Sequence, residues 1–231
     1  MSSQPRVLKI LNVLSLLLLV VAFGMAMWYA PVERIMGAVQ KVFYFHVATA
    51  WIGLLGFVAA TVAGVAYLRT HNMKWDIVEV AAVEISLVFF FITIVLGSIW
   101  ARSSWGTWWT WEPRLTTAAI LEMTYIAYLL LRQGVEDPDR RARYSAVYTL
   151  VFSLVAPMTL LSIFLFRTIH PDLGIFRAGQ STDGGLEPRM LVTMFVSIGA
   201  FSVIFATLLW HRIRLGQLME KVEQLKMKVM Q

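Results

Sequence analysis

The chain alternates long apolar runs with short polar segments. Six runs stand out, at about 7–29, 42–68, 77–100, 115–132, 144–166 and 190–211. Each approaches or exceeds the ~20 residues that a helix needs to cross ~30 Å of hydrocarbon. Inside lipid a backbone must satisfy its polar groups internally, which makes helices of these runs. The pattern therefore predicts an all-α, polytopic membrane protein with six transmembrane helices. Its six-helix domain takes residues 1–211, and residues 212–231 form a cytoplasmic C-terminal helix. In that tail Leu215, Leu218, Val222, Leu225 and Val229 recur three and four apart. Such a seam reads either as an extension of the sixth helix or as a docking helix, and two heptads fall short of a coiled coil.

Composition agrees with the pattern. Of the residues 58% are hydrophobic and 15% charged, against roughly a quarter charged in soluble domains. The first run carries Arg6 and Lys9 on its flank but exceeds the 7–15 residues of a signal-peptide core, so it reads as a retained span. Six crossings place both termini on one side. Most lysines and arginines fall in the segments on that side, which predicts an N-in, C-in topology. Arg34, Lys41, Arg102, Arg114, Arg167, Arg177 and Arg189 fall on the other side, in loops 30–41, 101–114 and 167–189. Positive charge there works against insertion, which implies a use for it. The inner segments 69–76 and 133–143 read as plain connectors. The net charge of +6 is ordinary for such a chain, and the absence of cysteine excludes disulfides, thiolate metal sites and covalent haem attachment from this chain.

One outward loop dominates the chemistry. WGTWWTWEPRLT, residues 105–116, packs Trp105, Trp108, Trp109 and Trp111 into seven positions beside Glu112 and Arg114. An interfacial aromatic belt accounts for scattered Trp28, Trp51, Trp75 and Trp210, but poorly for this cluster. Flat aromatic faces beside a fixed cation suit a large, flat, apolar ligand with anionic groups. Pro113 fits the first turn of the fourth helix; Glu112, just before it, is a poorer cap than Asp or Asn.

The four histidines divide by side. His71 and His211 fall on the cytoplasmic side beside Arg69 and Arg212, where a solvated basic flank accounts for them. His46, in the second span, and His170, after the fifth, lie at the level of the tryptophan loop. A single histidine in an apolar helix usually bonds a neighbouring carbonyl or hydroxyl. Two at one depth on different elements, flanking an aromatic platform, match an iron porphyrin held from both faces. Haem is flat and aromatic, and its propionates are anionic. Arg114 is the best propionate partner because it lies within the motif. Zinc would need further ligands, and no suitable ones cluster nearby in sequence. Glu79, Glu84 and Glu122 fall within spans, where ionisable groups are functional suspects. Glu79 is placed to reach the inner interface, whereas Glu84 and Glu122 have an arginine or a partner open to them. Pro157 is expected to kink the fifth span.

These residues resemble a known signature. WGTWWTWEPRLT is similar to the tryptophan-rich motif of the haem-handling membrane proteins of cytochrome c maturation. The short six-span chain, with one histidine before the motif and one after it, resembles CcmC, the haem exporter protein C family; the CcmF and CcsA-type relatives are larger. The resemblance spans essentially the whole chain. It implies a multi-pass protein of the bacterial cell inner membrane that is not an enzyme. Haem b would be bound transiently at the periplasmic face, its iron on His46 and His170, with the tryptophan loop against the porphyrin. It also implies delivery to the haem chaperone CcmE and work alongside CcmA and CcmB, the ATP-driven transporter subunits, and CcmD. Glu112 departs from the family's usual aspartate, preserving charge while moving it by one methylene. Two other classes fit the composition: a membrane cytochrome b carrying electrons on permanent haem, and a solute channel or permease subunit.

Overall fold

The computed structural model describes residues 4–33, 37–171 and 186–229. Arg34 and Arg177, counted above among the outward charges, lie outside the described residues. Among the described residues, six helical segments are long and apolar enough to cross a membrane, and no strand is present beyond an isolated bridge between Glu33 and Gly37. The first comprises α1 (Arg6–Gly24) and a π-helical turn, Met25–Tyr29. Then come α2 (Gln40–Thr70), α3 (Met73–Trp105) and α4 (Pro113–Gln133). The fifth crossing is split into α5 (Pro138–Val151) and α6 (Val155–Leu165), and α7 (Pro188–Val229) completes the bundle.

The helices outrun the apolar windows that predicted them. Hydropathy marks the part of a helix that meets lipid, whereas the helix itself runs on until a cap stops it. The connectors at 69–76 and 133–143 therefore shrink. His71, in the left-handed conformation with φ 52°, ends α2, and Asn72 caps α3 by accepting from the Lys74 amide at 3.0 Å. The EDPDRR segment is not a plain connector, because Asp137 caps α5 through the Arg140 amide at 2.7 Å and Pro138 takes the first turn. At the other end α3 runs five residues past its predicted limit, so the tryptophan motif starts on a helix.

Pro157 breaks the fifth crossing as expected, one turn before its own position. Its ring excludes a continuous helix through Ser153, and the chain turns at Phe152–Leu154 before α6 begins. The core lies between α2, α3 and α4. Small residues on α2 (Ala48, Gly53, Gly56, Ala60, Ala63, Gly64) are all buried and let α3 approach closely. Phe57 stacks on Tyr125 of α4 at 4.0 Å. One turn beyond the His46 level, the Thr93 hydroxyl donates to the Thr49 hydroxyl at 2.9 Å, fixing the register of α3 against α2.

The acidic residues in the spans are all accounted for differently from a simple reach to solvent. Glu79 is fully buried, contrary to the expectation that it reaches the interface; it accepts from the Thr149 hydroxyl at 3.2 Å. Glu84 takes the arginine option, pairing with Arg212 of α7, whose Nη2 lies 2.9 Å from Oε1. Glu122 is buried with Oε2 lacking a partner among the described residues. At the start of α3 and the end of α4, Asp76 and Arg132 form a two-pronged ion pair, with Arg132 also donating to Ser145 of α5 at 3.0 Å. His211 is more than a flanking charge, since its Nε2 meets the Asn12 amide oxygen at 2.8 Å and joins α7 to α1. The tail is one continuous helix with the sixth span, and Leu215, Leu218, Val222, Leu225 and Val229 are exposed along it.

Candidate functional site

His46 and His170 converge at the end of the bundle that carries the tryptophan motif. Their ring centres are 6.3 Å apart, with planes 34° from parallel. His46 stands in the second turn of α2 and faces α3. Its Nδ1 lies 2.9 Å from the Thr93 carbonyl; a carbonyl only accepts, so Nδ1 carries the proton and Nε2 keeps its lone pair. Gly97, one turn along α3 from Thr93, makes room for the ring. A Cβ there would lie 2.9 Å from His46 Cε1 and 3.2 Å from Nδ1.

His170 sits beyond α6, on chain with no regular hydrogen-bond ladder. Its Nδ1 lies 3.1 Å from the Pro171 carbonyl, which again leaves Nε2 as the free lone pair. Its backbone amide donates to the Thr168 hydroxyl at 3.1 Å. Partial burial, then the nearby Arg114 guanidinium, hold the His170 imidazole well below its ordinary range, down to about 3. It is therefore neutral at physiological pH, the form that binds metals. Arg114, in the first turn of α4, stands within electrostatic reach of both imidazoles.

The motif divides into anchors and exposed faces, a distinction that spacing alone does not give. Trp105 closes α3 and packs edge-on against Trp100 at 5.4 Å. Gly106 then takes φ 74°, the left-handed cap that a side chain resists. Trp109, partly buried, meets Trp111 edge-on at 5.7 Å. Trp108 and Trp111 are 59% and 76% exposed, so their indole faces are open to a ligand. The indole nitrogens of Trp100 and Trp109 and the Thr110 hydroxyl are buried without a partner among the described residues. Buried donors are normally satisfied, so these three are candidates to meet an acceptor that binds here.

Glu112 does cap α4, despite the expected preference for aspartate. Its Oε1 accepts from the Leu115 amide at 2.7 Å, and its Oε2 accepts from the Thr168 hydroxyl. Its two oxygens thus meet two groups on two segments. Other cations that the charge pattern predicts to face outward are engaged elsewhere: Arg102 donates to the Gly106 carbonyl, Lys41 to the Met27 carbonyl at 2.7 Å, and Arg189 lies over the Tyr29 ring. Arg167 lies just after α6. Among the described residues no group of three or more His, Cys, Asp or Glu is arranged to hold a metal. The residues that sequence reasoning passed over are Thr93, Gly97, Trp100 and Thr168. The first two share a helix face at i, i+4, and Thr168 stands two before His170. Those spacings are common, so only the fold singles them out.

Two imidazole–metal bonds of about 2 Å, with about a ring radius on either side, come to roughly 6 Å between ring centres. The observed separation of 6.3 Å is of that size, so the spacing of the pair has room for one metal between the rings, and the exposed indoles of the motif suit a flat aromatic carrier of it.

Comparison with known proteins finds a family model and several relatives. The family model described as "Heme exporter protein C" matches residues 1–228. Heme exporter protein C of Bradyrhizobium diazoefficiens is 32% identical over 198 residues, covering 86% of this chain and 74% of that protein. The protein of the same name from Escherichia coli (strain K12) is 32% identical over 213 residues, 91% of this chain and 84% of its own length. A protein of Marchantia polymorpha named a putative cytochrome c biosynthesis ccmC-like mitochondrial protein is 26% identical over 180 residues, 78% of this chain and 75% of its own.

Proposed function

The chain belongs to the Heme exporter protein C family, and from that premise we propose that it holds haem on His46 and His170 and passes it to CcmE during cytochrome c maturation. The observation that carries the reading is the convergence of the two imidazoles, each with Nδ1 committed to a backbone carbonyl. Trp108 and Trp111 offer faces for the porphyrin, Arg114 a charge for a propionate, and the Trp109 nitrogen and Thr110 hydroxyl further donors. Haem is cargo, so the protein's work is binding, orientation and release rather than a chemical step. The motif end of the bundle is periplasmic in this reading and the long α7 tail cytoplasmic, in the bacterial inner membrane, with CcmA, CcmB and CcmD as neighbours.

Release sets a limit on holding. His170 lies on a loop rather than in a helix, which suits a ligand that lets go when a partner arrives. A permanent cytochrome b usually takes its histidines from within spans, and this placement argues against that reading.

The test is the absorption spectrum of the purified protein titrated with haemin. The wild type should give a six-coordinate, low-spin Soret band, and the His46→Ala, His170→Ala double variant should lose it. Unchanged haem binding by the double variant would sink the ligand assignment.

A further inference from the structure

The acid of the tryptophan motif touches the His170 segment, and this contact has a consequence for how the second ligand is presented. Glu112 uses Oε1 on the Leu115 amide and Oε2 on the Thr168 hydroxyl. Thr168 in turn accepts from the backbone amide of His170 at 3.1 Å. The hydroxyl therefore donates to one segment and accepts from the other. A carboxylate strengthens such a bond, because a charged acceptor draws the proton donor more firmly than a neutral one. No helix dictates the backbone at His170, since α6 ends at Leu165. What fixes it is the turn closed by Thr168, and what fixes Thr168 is the start of α4.

We infer that Thr168, held by Glu112, is the positioning residue for His170, coupling the second haem ligand to the tryptophan loop as one unit. This rests on the reading of His170 as a ligand. Glu112 has the reach for it, whereas a side chain one methylene shorter that caps α4 has less left over for Thr168. A displacement of the tryptophan loop at Glu112 then moves the His170 ring as well, which gives a partner touching the loop a route to release one axial bond.

Thr168→Val removes the hydroxyl at nearly constant shape and leaves the Leu115–Glu112 cap intact. Haemin titration of this variant in detergent should show affinity lowered by about tenfold, the scale of one hydrogen bond to a charged group. Its bound haem should shift from six-coordinate low-spin towards five-coordinate high-spin, with His46 still ligating. Thr168→Ser should restore both. Glu112→Gln replaces an acceptor by a donor at the Thr168 contact, and the Glu112→Gln, Thr168→Val double variant should be no weaker than Thr168→Val alone. A wild-type spectrum and affinity for Thr168→Val would overturn the inference. So would Thr168→Ser as defective as valine, or losses that simply add in the double variant. If the double histidine variant still binds haem normally, the ligand reading itself fails; if it loses haem while Thr168→Val does not, only the positioning role fails.

Discussion

The His46 ring is oriented from α3: its Nδ1–H donates to the Thr93 carbonyl at 2.9 Å, and the space beside it exists because residue 97 has no side chain. Gly97→Ala would set a methyl 2.9 Å from Cε1, and the ring must turn, weakening its bond to Thr93. Haemin affinity should fall several-fold. Thermal stability should hold or rise slightly, because alanine favours a helix over glycine by up to about 1 kcal/mol. A haemin titration run beside a melting curve separates the two effects, and unaltered affinity would show that the ring tolerates the methyl. Histidine and tryptophan positions were legible from the sequence because their chemistry is rare in lipid. Thr93 and Gly97 were not, since threonine and glycine are ordinary in membrane helices and gain meaning only from what they face.

At the scale of elements, capping decides where the motif lies. Gly106 ends α3 and Glu112 with Pro113 starts α4, so the exposed indoles sit on a short bridge between two rigid ends. The opposite end of α4 is held by Arg132, which pairs with Asp76 of α3 at side-chain exposures of 11% and 5%. Removing one partner of such a buried pair costs about 3–5 kcal/mol, because the other charge is left without compensation. Arg132→Met should therefore lower the melting temperature markedly in detergent, and a further Asp76→Leu change should recover part of the loss. A double variant as unstable as Arg132→Met would show that the pair does not act as a pair. The start of α5 was hidden in the sequence by its charge. EDPDRR has the polarity of a loop, yet Asp137 and Pro138 are the cap and first turn of a helix.

Across the whole molecule, length separates the site from the tail. The 42 residues of α7 span about 63 Å at 1.5 Å per residue, roughly twice the hydrocarbon thickness. The close packing of α7 on α3 reaches Gly216, where a Cβ would lie 2.6 Å from Ile77 Cγ2. The turns after Gly216 make no packing contact of that kind, and the apolar positions Leu218, Val222, Leu225 and Val229 are exposed along them. Deleting residues 219–231 should leave haemin affinity of the purified chain within about twofold and its unfolding free energy within about 0.5 kcal/mol, the range of surface changes. A loss of haem binding on that deletion would mean that the tail supports the site from a distance.

What the sequence determined by itself follows from solvent: lipid demands runs of apolar residues, so six crossings are written in composition, and an aromatic, cationic, histidine-flanked loop stands out against them. Only the tertiary structure decided which groups meet. Whether His46 and His170 share one site, whether Glu112 turns inward or across to Thr168, and which indoles stay open all depend on helix register and approach distance. Those quantities are set by small residues between α2 and α3 and by caps at their ends, whose side chains are too common for their positions in the sequence to reveal their partners.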